Sequence, residues 1–210
     1  MNERFRDIVV AGTAGGVGTT TVTALLFDAL RQAVGSGPGL LDHTAGVLVD
    51  RAPGWDAPGP GDLIGPGDAP GGRLRLHDLG RHALIAGTAR LADPSVRLVL
   101  VSAATPAGCA LATQVLETVS RGGGASGLSS TVVVLTGVFG RHRIRRLVLG
   151  LAEPQPMGVV TIPDDLALAA GGRIRSDRLS GRTRAAVGRL AAAVTSSTGH
   201  PVEAGHVRSG

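Results

Sequence analysis

The chain has 210 residues, a length that suits one domain with a sizeable core. Three Phe, one Trp and no Tyr leave Val, Leu, Ile and Ala to fill that core, which is typical of a parallel sheet covered by helices. The formal charge of +5 is modest, and every one of the 21 Lys+Arg residues is arginine. A single cysteine, Cys109, excludes an internal disulfide, and no apolar run approaches the ~20 residues of a membrane span, so we expect a cytoplasmic protein.

Short apolar runs alternate with helical patterns along the chain. This alternation predicts βαβ crossovers, and therefore an α/β fold with a doubly wound, mostly parallel sheet flanked by helices. The predicted strands are 7–11, 39–42, 46–50, 73–77, 97–102, 131–136 and 157–161. The predicted helices are 18–34, 81–92, 107–121, 141–151, 164–170 and 181–196. We expect a single domain over residues 1–195.

A stretch rich in proline and glycine covers residues 52–72. Its composition is incompatible with regular structure and predicts a long loop or an insertion within the domain. Such a segment could be a surface insertion or a lid beside a ligand. The polar residues 196–210 predict a flexible tail.

A glycine-rich loop follows the first predicted strand and precedes the first helix. It reads Thr-Ala-Gly-Gly-Val-Gly-Thr-Thr-Thr from Thr13 to Thr21. Glycines at 15, 16 and 18 let successive N–H groups turn toward an anion, and the helix N-terminus adds partial positive charge. The strand–loop–helix order therefore predicts a phosphate-binding site.

The loop departs from a hydrolytic P-loop at two positions. Thr13 occupies the first glycine position, and Thr19 occupies the position of the lysine. Thr20 stands where a P-loop hydroxyl ligates Mg²⁺. Because the lysine supplies positive charge to the phosphates in the transition state, its absence should impair hydrolysis more than binding.

The same residues also fit a dinucleotide-binding turn. Gly12, Gly16 and Gly18 match the spacing found in short-chain dehydrogenases, and Asp42 could then contact a ribose. The catalysis of those enzymes needs a tyrosine and a lysine, and this chain has neither. What remains of this interpretation is a degenerate dinucleotide-binding domain.

Later segments add to the pattern of the loop. Asp42 and Thr44 close the second predicted strand, Asp78 and Gly80 follow the fourth, and an Ile-Pro-Asp-Asp run ends at Asp165. Together with the loop, these segments resemble the ParA/MinD family of deviant Walker-A P-loop proteins. The resemblance is closest to the TadZ/CpaE-like and septum-site-determining-like branch, and it runs over most of the chain.

The resemblance implies roles for individual residues in a P-loop NTPase-like domain. The nucleotide-binding residues would be Ala14, Gly15, Gly16, Val17, Gly18, Thr19, Thr20, Thr21, Pro163 and Asp164, the last two near the adenine. Thr20 and Asp78 would hold Mg²⁺. The switch-like residues would be Asp42, Thr44, Asp78 and Gly80. Ala14, Thr19 and Thr44 replace two lysines and an aspartate that the family uses for catalysis, so we assign no catalytic residue.

The resemblance implies a positioning or assembly factor with little or no ATPase activity. It would bind ATP or ADP with Mg²⁺ weakly and act through homodimerisation and through a protein partner in a bacterial positioning, pilus, secretion or division system. Two alternatives stand beside the dinucleotide-binding domain. One is a ligand-free pseudo-ATPase that serves as a structural interaction module, and the other is an active ligase-type ATPase of the same superfamily.

Two groups of arginines lie in the second half of the chain. The first is Arg141, Arg143, Arg145 and Arg146, and the second is Arg173, Arg175, Arg178, Arg182, Arg184 and Arg189. They would form a solvated face, contact DNA phosphates without sequence preference, or supply one arginine that reaches the γ-phosphate in place of the lysine. The last predicted helix lacks the bulky apolar face of a membrane anchor.

Overall fold

The computed structural model describes residues 7–34, 38–44, 48, 50–52, 74–91, 93, 95–138, 155–169 and 171–196. Three sequence predictions therefore lie outside the described residues. They concern the proline- and glycine-rich stretch beyond Ala52, the predicted helix over 141–151 with its arginine cluster, and the tail beyond Ser196.

Six parallel strands form one sheet, which confirms the predicted α/β class. The strands are β1 (Asp7–Gly12), β2 (Gly39–Asp42), β3 (Arg75–Asp78), β4 (Val96–Ala103), β5 (Thr131–Val138) and β6 (Gly158–Pro163). Their order across the sheet is β2-β3-β1-β4-β5-β6. β1 thus lies inside the sheet, where Asp7 aligns with Arg75 of β3 and with Val96 of β4.

Helices cover both faces of the sheet. They are α1 (Thr19–Val34), a π-helical turn (Ala83–Gly87), α2 (Thr88–Arg90), α3 (Pro106–Ser129, with a break at Gly124), α4 (Leu166–Ala169), a 3₁₀ turn (Ser176–Arg178) and α5 (Gly181–Thr195). Within the described part of the chain, no helix is long and apolar enough to cross a membrane.

The core has two layers because successive side chains of β1 point to opposite faces. Ile8 and Val10 pack with α1 and α5, whereas Val9 and Ala11 pack with α3. The helix that follows β1 and the helix that follows β4 therefore cover opposite faces. The crevice at the carboxyl ends of β1 and β4 is the topological switch point, which is where open α/β sheets bind their ligands.

Two predicted elements were wrong in detail. The predicted strand 46–50 does not form at its described residues, because Leu48 and Asp50 lie in turns. The N–H groups of Arg51 and Ala52 both donate to the Leu48 carbonyl, at 3.1 and 3.0 Å, so the chain turns there. The predicted helix 81–92 is a π-helical turn followed by the single turn of α2.

A buried arginine ties the sheet to the last helix. The side chain of Arg97 on β4 is 2 % exposed, and its Nη1 donates to the carbonyl oxygens of Ala193 at 2.5 Å and Ser196 at 3.1 Å. Burial lowers the pKa of this guanidinium to about 10. The last carbonyls of a helix have no partner within the helix, and Arg97 provides one at the end of α5.

We expect the Arg97→Ala variant to lose about 2–4 kcal/mol of unfolding free energy, because it removes a buried side chain and leaves helix carbonyls without their donor. Arg189→Ala is the matched control. Arg189 is an exposed residue of α5, and its loss should change the unfolding free energy by less than about 0.5 kcal/mol. Urea denaturation followed by circular dichroism measures both values. Equal denaturation midpoints for the two variants would show that Arg97 does not secure α5.

Candidate functional site

The glycine-rich turn connects Gly12, the last residue of β1, to Thr19, the first residue of α1. Gly16 and Gly18 have φ angles of 75° and 86°, a left-handed conformation that favours glycine. The amide of Gly12 donates to the carbonyl of Gly80 at 2.6 Å, and the amide of Thr13 donates to the carbonyl of Val101 at 2.9 Å. The turn is therefore fixed to the ends of β3 and β4 at the switch point.

Thr19 packs against the turn instead of extending from it. Its side chain is 6 % exposed, and a Cβ placed on Gly12 would overlap Thr19 Oγ1. The same Cβ would lie 2.9 Å from Cγ2 of Val17. Residue 19, which the sequence motif aligns with the P-loop lysine, is thus a short side chain that fills the space beside β1, and α1 can approach β1 this closely because residue 12 is glycine.

Asp78 lies at the end of β3 beside the first turn of α1. Its Oδ1 accepts a hydrogen bond from the Gly80 amide at 2.9 Å. Its Oδ2 is fully buried and has no hydrogen-bond partner among the described residues. Burial raises the pKa of the Asp78 carboxyl, and hydrogen bonds from the Gly80 amide and the neighbouring Thr20 hydroxyl lower it in part. The charge of Asp42 raises it further, so the pKa of Asp78 lies above its usual value.

These contacts fit a divalent cation at Asp78 and Thr20. A buried carboxylate oxygen without a partner is costly, and a bound cation would satisfy it. A carboxylate and a threonine hydroxyl are ligand types that Mg²⁺ accepts when phosphate oxygens and water complete its shell. Within the described residues, no cluster of three or more His, Cys, Asp or Glu side chains could hold a metal ion.

The switch-like residues Asp42, Thr44 and Gly80 lie together beside Asp78. Oδ1 of Asp42 accepts hydrogen bonds from the amide and the hydroxyl of Thr44, at 2.6 and 2.5 Å, and its Oδ2 accepts one from the Leu48 amide at 3.2 Å. A Cβ on Gly80 would lie 3.1 Å from Cγ2 of Thr44. Asp42 therefore organises the loop after β2.

A cleft of about 440 Å³ opens beside the turn. The residues that line it include Gly16, Gly18 and Thr21 from the turn and the start of α1, together with Pro163 at the end of β6 and Asp164 after it. The glycine-rich turn and the Ile-Pro-Asp-Asp segment, which are distant in the sequence, both line this cleft. Ala14, Gly15, Thr19 and Thr20 are not among the residues that line this cleft.

The second aspartate of the Ile-Pro-Asp-Asp segment has a structural role. Oδ1 of Asp165 accepts from the Ala167 amide at 3.0 Å, and Oδ2 accepts from the Ser180 amide and the Thr183 hydroxyl, at 2.9 and 2.6 Å. Burial alone would raise the pKa of Asp165, but these hydrogen bonds bring it below its usual value. Asp165 thus connects α4 to the start of α5, and Asp164 is the exposed carboxylate of the cleft.

Arg51 is a cleft residue for which the sequence analysis gave no role. It lines the cleft, and its Nη1 donates to Oγ1 of Thr21 at 2.7 Å. Its main chain is held at both ends, since its amide donates to the Leu48 carbonyl and its carbonyl accepts from the Ile174 amide, both at 3.1 Å. Contact between residues 30 positions apart gives no periodic signal in the sequence.

The arginines of the predicted groups that the structure describes do not line the cleft. Arg141, Arg143, Arg145 and Arg146 lie outside the described residues. In the second group, all six side chains are exposed, and Arg175 forms an ion pair with Asp177 at 2.9 Å. None of the six lines the cleft.

A second buried polar cluster lies at the face of the sheet that α3 covers. Asp7 accepts two hydrogen bonds from Arg75, at 2.6 and 2.7 Å, and contacts Nε2 of His77 at 2.9 Å. The His77 ring stacks on His43, with ring centroids 5.5 Å apart. Burial lowers the pKa of His77 despite its contact with Asp7, and the nearby Arg90 lowers it further. This cluster fixes the amino end of β1 to β3.

No model of a known protein family matches the chain, and no curated protein matches it.

We expect Gly12→Ala to destabilise the protein by about 1–3 kcal/mol, because the added methyl group overpacks the space that Thr19 and Val17 fill. Gly15→Ala is the control within the same turn, since a Cβ there meets nothing within 4 Å. Thermal unfolding measures both variants. Part of the cost should disappear when Gly12→Ala is combined with Thr19→Ala, and a cost unchanged by that combination would contradict the contact with Thr19.

Proposed function

We propose that this protein is a ParA/MinD-like, TadZ/CpaE-like positioning or assembly factor that binds ATP or ADP with Mg²⁺ weakly and hydrolyses ATP very slowly or not at all. The observation that carries the proposal is the glycine-rich turn at the switch point, with the Thr20 hydroxyl next to the buried carboxyl of Asp78, whose Oδ2 has no hydrogen-bond partner among the described residues. A glycine-rich turn at a helix N-terminus, next to a carboxyl and a hydroxyl that could hold a cation, suits a phosphate–Mg²⁺ pair.

The turn supports nucleotide binding without a lysine. The first amides of α1 have no partner within the helix, and Gly18, which precedes Thr19, has no side chain to cap them. By contrast, Thr105 caps α3 and Ser180 caps α5, each by accepting a hydrogen bond from an amide of the first turn. A phosphate oxygen would satisfy the amides of α1, and the cleft toward Pro163 and Asp164 offers space for the rest of a nucleotide.

The same geometry opposes fast hydrolysis. Thr19 is buried against Gly12, so no cationic side chain extends from the lysine position. Thr44 donates its hydroxyl hydrogen to Asp42, and the family aspartate that it replaces helps to position the attacking water. Bound Mg²⁺ would supply positive charge to the phosphates, but the chain lacks the lysine that stabilises charge developing in the transition state.

A homodimer and a protein partner complete the proposal. Leu84 and Ile85 are 46 % and 80 % exposed in the π-helical turn that follows the switch-like Asp78–Gly80 segment. Large apolar side chains at such a position suit contact with a second copy of the chain that responds to the nucleotide. A cytoplasmic location in a bacterial positioning, pilus, secretion or division system, and nonspecific DNA contact through the arginine clusters, remain part of the proposal that rests on the resemblance.

The packing of Thr19 also favours a second candidate, a ligand-free pseudo-ATPase that serves as a structural interaction module. In that case the turn would be a fold remnant, and the buried side chain of Thr19 would have replaced a ligand-contacting group with a packing group. Nucleotide binding by the purified protein separates the two candidates.

We expect isothermal titration calorimetry to give a Kd on the order of 10–1000 µM for Mg-ADP, since loss of a charge-assisted contact weakens an ordinary P-loop affinity by roughly 10- to 100-fold. Asp78→Asn should abolish the dependence of binding on Mg²⁺, and Thr20→Ala should weaken that dependence, because the two residues would hold the cation. EDTA added to the wild type is the control. Light scattering on the same samples reports dimerisation. If millimolar nucleotide gives no binding heat, the proposal is wrong and the ligand-free module is favoured.

We expect Thr19→Lys to bind Mg-ATP about 10- to 100-fold more tightly than the wild type, because it restores a charge-assisted contact to the phosphates. Hydrolysis should stay slow, since Ala14 and Thr44 still replace two groups that the family uses. Thr19→Met matches the length of the new side chain without its charge and controls for disturbed packing. Equal affinities of the Lys and Met variants would show that the turn does not present residue 19 to a phosphate.

A further inference from the structure

We propose that Arg51 contacts the phosphates of the bound nucleotide and supplies the positive charge that the glycine-rich turn lacks. This inference rests on the proposed function and deepens it by naming the cationic residue. Arg51 belongs neither to the turn nor to the two arginine clusters of the sequence. It lines the same cleft as Gly16, Gly18 and Thr21.

The side chain of Arg51 is held at the edge of the turn. Its Nη1 donates to the hydroxyl of Thr21, two residues after the start of α1, at 2.7 Å. The guanidinium has five N–H donors, and among the described residues this hydrogen bond is the one that its side chain makes, which leaves donors for an anion. Within the described part of the chain, no carboxylate lies within ion-pair distance of Arg51.

The main chain of Arg51 is fixed, which makes the side chain a positioned group. Its amide donates to the carbonyl of Leu48, its carbonyl accepts from the amide of Ile174, and the amide of Leu48 in turn donates to Asp42. The switch-like Asp42 therefore shapes the turn that presents Arg51. A guanidinium held in this way suits bidentate contact with a phosphate group.

Two carboxylates that line the cleft, Asp164 and Asp165, do not form an ion pair with Arg51. Both oxygens of Asp165 accept hydrogen bonds from α4 and from the start of α5. Asp164, which follows Pro163 and also lines the cleft, is exposed. Among the described residues that line the cleft, Arg51 is the one cation, and its contact with Thr21 places it next to the start of α1, where it would attract a phosphate group.

The test compares Mg-ADP and inorganic pyrophosphate as calorimetric probes of the 210-residue chain. Arg51→Met removes the charge and keeps most of the alkyl stem, and Arg51→Gln keeps a neutral donor for Thr21. We expect both variants to bind each probe about 10- to 100-fold more weakly than the wild type, and Arg51→Lys to recover part of the loss. Arg121→Met is the control, because it removes an exposed arginine on α3 and should leave both affinities unchanged.

The outcomes separate this inference from the proposed function. If the wild type binds Mg-ADP and the folded Arg51→Met and Arg51→Gln variants bind it equally well, the role of Arg51 is overturned and nucleotide binding stands. If the wild type binds pyrophosphate but no nucleotide, the proposed function fails, and the pyrophosphate affinity of the variants decides the role of Arg51. If the wild type binds neither probe, both are overturned. Circular dichroism confirms that each variant is folded.

Discussion

The close packing of α1 against β1 determines the geometry of the candidate site. Residue 12 must lack a side chain, because the hydroxyl of Thr19 occupies the space where a Cβ would lie. Once the two elements meet in this way, the left-handed Gly16 and Gly18 complete the turn. The first turn of α1 then reaches two partners from other parts of the chain. Thr20 lies beside Asp78 of β3, and Thr21 contacts Arg51.

The charges of the site are unevenly placed, and this uneven placement argues for a ligand. Asp78 is a fully buried carboxyl with an unpartnered oxygen among the described residues, while Arg51 lines the neighbouring cleft without a carboxylate partner there. A direct ion pair between the two would have satisfied both groups. The two groups form no ion pair with each other, and each instead lies next to a different residue at the start of α1, Asp78 beside Thr20 and Arg51 beside Thr21. An anion with its own cation would satisfy both sides, whereas neither ion alone would satisfy more than one.

The sequence predicted the sheet because strand formation follows a local apolar pattern. Asp7–Gly12 and Val96–Ala103 form strands within two residues of the predicted bounds. At Leu48 and Asp50 the predicted strand 46–50 was wrong, since its apolar residues suggested a strand while the Leu48 amide donates to the Asp42 carboxylate and its carbonyl accepts from Arg51 and Ala52. The glycine-rich turn was predictable from its glycines. The contribution of Arg51 was not, because a contact with Thr21 depends on tertiary folding and leaves no spacing in the sequence.

If Arg51 supplies the positive charge in place of a loop lysine, that charge would affect nucleotide affinity and hydrolysis differently. A residue that contacts the phosphates equally in the ground state and in the transition state raises affinity without raising the rate of hydrolysis. Arg51 donates a hydrogen bond to Thr21, and its main chain is hydrogen-bonded to Leu48 and Ile174. A side chain held in this way is suited to contact the phosphates equally in the ground state and in the transition state. In the proposed site, the buried Thr19 stands in place of the P-loop lysine, which would otherwise stabilise the charge that develops on the transferred phosphate. A nucleotide held in this way would persist as a structural ligand, and the state of the protein would then follow nucleotide concentration more than turnover.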